Sequence, residues 1–140
     1  MDEEKVQGVV LAHGGMARGL VDAVQKISGE GERALMALSN EGLSPEALRD
    51  RLAEALGTGP AIIFTDLHTG SCALAARAAC RPPGARAVIF GANLPMLLDF
   101  VFHREMPLDE LVPRILAQGR EAIRAQPESV ADVDSSLPGR

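Results

Sequence analysis

Apolar residues recur along this chain in two alternating rhythms. Short, nearly continuous runs at 6–12 (V-Q-G-V-V-L-A), 33–38, 61–65 (A-I-I-F-T) and 86–90 predict strands, the third being the clearest and the second the least apolar. Between them the spacing becomes helical. Met16, Leu20, Val24 and Ile27 predict a helix closed by Ser28-Gly29. Leu48, Leu52, Ala55 and Leu56 define the inner face of a second helix. Ser44 is placed to cap it, Pro45 sits at its first position, and Gly57 ends it. The alanine-rich stretch 72–80 predicts a third helix suited to close packing, followed by a break at Pro82-Pro83-Gly84. Leu94, Leu97, Leu98 and Val101 predict a short fourth helix. Leu108, Leu111, Ile115, Leu116 and Ile123 predict a fifth, with Pro113 costing it one backbone hydrogen bond. From Pro127 onward no period is usable, so 127–140 reads as a disordered tail behind one domain at 1–126.

Strand and helix alternate as βαβαβαβα with one additional helix. That order predicts an α/β fold: a doubly wound, mostly parallel sheet covered by helices on both faces. Right-handed crossovers bring every strand's C-terminal end to one edge, where such sheets bind ligands. The segments to inspect are therefore His13-Gly14-Gly15, Ser39-Asn40, residues 66–71 and Gly91-Ala92-Asn93. With strand order 2-1-3-4, the first and third strands are neighbours, and His13 faces Asp66.

Composition narrows the chemistry. Fourteen basic residues against nineteen acidic ones give a formal charge of −5, which disfavours phosphate backbones. Four Phe, with no Trp or Tyr, leave little on which to stack bases, so no nucleic-acid partner is expected. No apolar run approaches the ~18–20 residues of a membrane span. The acidic start, Met1-Asp2-Glu3-Glu4, lacks the apolar segment of a signal peptide. Cys72 and Cys80 are too far apart on one helix to pair, and two free thiols point to the reducing cytoplasm. No metal-ligand spacing is evident, and no metal or cofactor is expected.

His13 reads either as an ordinary loop residue or as a nucleophilic imidazole, with Gly14 and Gly15 giving the backbone room. Asp66 either caps a turn or holds the other ring nitrogen and so fixes the tautomer. Thr69, Gly70 and Ser71 open a helix and would cradle a phosphoryl group, Ser71 also serving as its cap. Together these suit phosphoryl transfer through a phosphohistidine. His68 is either loop filler or a second imidazole in the site. His103 reads as a surface residue or a helix C-terminal dipole partner. Cys72 reads as a packing residue, or as an acidic thiol at a helix start. A Walker A sequence, the acids and lysine of a response-regulator receiver, and a G-x-S-x-G elbow are all missing.

Three segments carry a family resemblance. V-V-L-A-H-G at 9–14, F-T-D-L-H-T-G-S at 64–71 and G-A-N-L-P-M-L-L at 91–98 resemble motifs of the IIA domain of the mannose-type (mannose/fructose/sorbose) sugar phosphotransferase system. G-R-E at 119–121 resembles its last helix, and the likeness spans roughly 6–125. The resemblance implies a cytoplasmic homodimer without membrane insertion, associated at most with a membrane sugar permease. His13 would take a phosphoryl group from the carrier HPr and pass it to a IIB component. Asp66 matches the family's histidine partner, Ser71 its loop serine, and Asn93 lies in the motif beside the site, where a structural role in holding the loop is expected. Thr69 stands where the family has a loop glycine, His68 precedes it, and Cys72 replaces a proline. With no IIB segment following, a stand-alone subunit is expected. Two other roles fit the same fold: a regulatory module whose phosphorylation state is read by another protein, and the phosphotransfer subunit of dihydroxyacetone kinase.

Overall fold

The computed structural model describes residues 5–30, 34–80 and 85–131. Four strands, β1 (Gln7–Ala12), β2 (Leu35–Ser39), β3 (Ala61–Thr65) and β4 (Arg86–Phe90), form one sheet in the order β2-β1-β3-β4. Every pairing is parallel, with Val10 opposite both Ala37 and Phe64, and Leu11 opposite Thr65. The helices are α1 (Met16–Ser28), α2 (Pro45–Leu56), α3 (Ser71–Ala79), α4 (Leu94–Val101), α5 (Leu108–Glu121) and the single turn α6 (Glu128–Ala131). The doubly wound order expected from the alternation is the order found.

The strand period of two splits the interior into two cores. Val10, Ala12, Ile62 and Phe64 face a layer built from α1, α4 and α5. Val9, Leu11, Ala61 and Ile63 face α2 and α3. Because both faces of the central strands are covered, β3 is buried at all five positions. Phe100 of α4 meets Phe64 edge-on, with ring centroids 5.2 Å apart. Gly8 makes room for it: a Cβ there would lie 2.5 Å from Phe100 Cε2 and 2.8 Å from Leu35 Cδ1.

Local signals set the helix ends. The Ser44 hydroxyl accepts from the Ala47 N–H, with Pro45 opening α2. Gly29 closes α1 in the left-handed conformation. Asn93 caps α4 by accepting from the Met96 N–H, and its amide donates to the Gly119 carbonyl of α5. That second bond fastens two helices together, so the side chain of Asn93 ties α4 to α5 rather than holding the loop.

Some expectations shift. The inner face of α1 is Ala17, Val21 and Val24, while Met16 and Ile27 are exposed. Of the expected stripe, Val24 is buried and Leu20 packs against the same core, while the helix turns its smaller residues Ala17 and Val21 to the sheet in place of Met16 and Ile27. Ile123 lies beyond the end of α5 and is 75% exposed, because the helix stops at Glu121. The second strand begins at Leu35, and its expected first residue, Arg33, lies outside the described residues, as do Pro82-Pro83-Gly84. Within the expected tail, α6 forms one helical turn, while 132–140 lie outside the described residues.

Candidate functional site

Parallel pairing of β1 with β3 brings the residues that follow them side by side. The Asp66 Oδ2 atom accepts the His13 backbone N–H at 3.0 Å and faces His13 Nδ1 at 2.9 Å. Its other oxygen accepts the Leu67 N–H at 2.9 Å. The carboxylate is thus held by three donors, and its side chain is only 8% exposed against 41% for His13. Burial pushes the Asp66 carboxyl up, but the His13 backbone N–H, the ring hydrogen bond and the ring charge outweigh it and hold the group below the usual carboxylate value. An ionised Asp66 can only accept, so in the neutral imidazole the proton sits on Nδ1 and the lone pair on Nε2.

The loop after β3 closes over that free nitrogen. Thr65 is buried, and its hydroxyl donates to the Leu67 carbonyl at 2.8 Å, starting the turn. Gly70 has φ +96°, a conformation that side chains resist. A Cβ on Gly70 would lie 3.7 Å from both His13 Cε1 and Nε2, so the Gly70 backbone lies alongside the reactive edge of the ring. Helix α3 then begins, its first intrahelical bond running from the Leu74 N–H to the Gly70 carbonyl. The N–H groups of the preceding turn are left to meet an anion.

Ser71 is the first residue of α3, and Gly70 occupies the cap position without a side-chain bond, so Ser71 is not the helix cap. Its hydroxyl instead accepts from Asn40 Nδ2 at 3.3 Å, across from the end of β2. The position of Asn40 after a strand was the only sequence signal for this link. Thr69 stands exposed in the loop. Gly14 turns the chain after His13 with φ +59°, and a Cβ there would meet nothing within 4 Å, so its requirement is conformational.

The remaining candidates separate. His68 is exposed, and its carbonyl accepts from Arg77 Nη2 at 2.7 Å, while the Arg77 guanidinium lies 4.5 Å over the Phe90 ring. His103 is away from the site, following α4 with its Nδ1 2.8 Å from the Asp99 carbonyl. Cys72 is fully buried in the α2–α3 core. Burial and the Asp66 charge push its thiol up to about 11, against a lowering by Ser71, which favours the packing reading over the acidic thiol. The fold also does what spacing alone did not reveal. Donor atoms of His13, Asp66 and Cys72 all lie within 4.8 Å of one another.

A family model, EIIA-man, described as the PTS system fructose IIA component, matches residues 8–116. No curated protein sequence matches the chain. Among solved structures, the chain is similar to phosphotransferase system component EIIA from Streptococcus agalactiae, with 24% identity and TM-score 0.79, covering 86% of this chain and 96% of that one. It is similar to the mannose/sorbose specific IIA subunit from Enterococcus faecalis, with 24% identity and TM-score 0.74, covering 95% and 99%. A PTS IIA protein associated with the fucose utilization operon from Streptococcus pneumoniae shares 18% identity with TM-score 0.72, covering 90% and 96%. These three likenesses establish the fold.

Proposed function

The chain belongs to the EIIA-man family, the mannose-type IIA components of the sugar phosphotransferase system, and from that premise we propose that it is a phosphocarrier working through a phosphohistidine at His13. Phospho-HPr is the donor and a IIB component the acceptor, during phosphoenolpyruvate-dependent sugar uptake in the cytoplasm. The observation that carries this reading is the 2.9 Å contact between Asp66 Oδ2 and His13 Nδ1. It leaves Nε2 unprotonated on the half-exposed side of the ring.

In the forward step the Nε2 lone pair attacks phosphorus in line, forming one N–P bond as the donor's N–P bond breaks. The ring becomes cationic while it carries the phosphoryl group, and the fixed Asp66 carboxylate opposes that charge without reorganising. The phosphoryl oxygens fall toward Thr69, Gly70 and Ser71, at the positive end of α3. Return transfer uses the same geometry reversed. The exposed side chains of Leu67 and Leu74, on the loop and the first turns of α3, offer an apolar rim to a protein partner. Among the described residues no helix is long and apolar enough to cross a membrane. Assembly as a homodimer belongs to the same proposal.

Incubation with phosphoenolpyruvate, enzyme I and HPr tests it. The protein becomes labelled through an acid-labile, alkali-stable bond, and His13→Ala abolishes the label while His68→Ala keeps most of it. Full labelling of His13→Ala would refute the assignment. Onward transfer to a purified IIB component separates a transport role from a phosphorylation-state sensor.

A further inference from the structure

We infer that His13, Asp66 and Cys72 form a binding site for a zinc-class divalent cation, and that an ion bound there shuts off the phosphoryl acceptor. The three residues come from two strand ends and a helix start. An imidazole nitrogen, a carboxylate oxygen and the Cys72 sulfur lie within 4.8 Å of one another, a cluster of three such donors among the described residues. Tetrahedral zinc with bonds of about 2.0–2.3 Å sets its ligands about 3.3–3.8 Å apart, so the widest separation in the cluster, no more than 4.8 Å, has to close by at most roughly 1 Å, while the 2.9 Å pair of Asp66 Oδ2 and His13 Nδ1 has to open slightly if both bind. The donor set of one thiolate, one imidazole and one carboxylate selects zinc over magnesium or calcium, which demand oxygen ligands.

Charge balance favours the site. Asp66 is already ionised, and binding displaces the Cys72 thiol proton to solvent. A thiolate and a carboxylate then neutralise the ion's two positive charges, which suits a position beside the fully buried Cys72. His13 is half-exposed and gives the ion its entry and an open fourth position for water.

The consequence for transfer rests on the function proposed above. If the ion takes Nδ1, the single proton of the neutral ring moves to Nε2, which can no longer attack. If the ion takes Nε2, it consumes the lone pair directly. Either ring nitrogen therefore leads to the same inhibition.

The test uses the purified full-length chain stripped of metal with a chelator. Zinc titrated in competition with a chromophoric chelator should bind at one ion per chain. Cys72→Ala should weaken that binding by at least about tenfold, while Cys80→Ala should bind as the wild type does. Cobalt(II) in the wild-type protein should give a sulfur-to-cobalt charge-transfer band, a readout that needs no variant to fold. Absence of that band, or unchanged zinc affinity in Cys72→Ala, would overturn the site. Zinc should also block labelling by phospho-HPr reversibly, with activity restored by chelator, and undiminished labelling of the zinc-loaded protein would overturn the inhibition. A metal-free protein that never labels would instead refute the phosphocarrier reading, and the zinc site would stand or fall on its spectra.

Discussion

One oxygen of Asp66 receives both the backbone N–H and the ring Nδ1 of His13, at 3.0 and 2.9 Å. The same atom therefore fixes where the histidine backbone sits and which way its ring points. Asp66→Ala releases both constraints and strands the His13 and Leu67 N–H groups. Phosphoryl transfer should slow on the order of 100-fold, and stability should fall by about 1–3 kcal/mol, with the domain still folded. Rapid-quench labelling and urea unfolding measure the two effects. Unchanged transfer would reduce Asp66 to a turn residue.

The same contact sets a pH dependence. The Asp66 carboxyl is held below its ordinary value in the folded protein, so its stabilisation is present above the unfolded-state value. It is lost as the pH falls through the lower folded value. The urea midpoint difference between wild type and Asp66→Asn should shrink as the pH falls from about 5 downward. A difference that keeps growing as the pH falls below about 5 would reverse the assigned sign.

The fold was legible because its signals are local and redundant. Alternating apolar runs and helical stripes, with Ser44-Pro45 and Gly29 at helix ends, all agree on one parallel sheet. Adjacency of His13 and Asp66 followed from strand order. What stayed hidden depends on distance across the sheet or on which of two stripes packs. Ala17 and Val21 displaced the larger Met16 and Ile27 because periodicity does not rank close approach above size. The Asn40–Ser71 bond and the nearness of Cys72 to the imidazole arise only once β1, β2 and β3 lie side by side, and no spacing encodes them.

Gly8 illustrates a requirement set by a distant ring. Its missing Cβ is the space that Phe100 fills, so Gly8→Ala overpacks a core with little slack. A loss of roughly 1–3 kcal/mol is expected, read as a lowered urea midpoint with an unchanged slope. Wild-type stability in this variant would mean that the Phe100 ring moves aside freely.

Asn93 should separate architecture from chemistry. Asn93→Ala removes the cap of α4 and the tie to the Gly119 carbonyl, and about 1–2 kcal/mol should be lost. Labelling of the folded fraction should continue at near the wild-type rate, since Asn93 supports helices rather than the phosphoryl group. A stable variant that fails to accept phosphate would give Asn93 a direct role in transfer.

The position of the phosphoryl group on the imidazole tests the account most directly. Long-range proton–nitrogen spectra of protein labelled with nitrogen-15 histidine, taken before and after phosphorylation, assign the ring nitrogen that carries phosphorus. The account predicts phosphorus on Nε2 of His13, with Nδ1 still protonated toward Asp66. Phosphorus on Nδ1 of His13, or on His68, would contradict it.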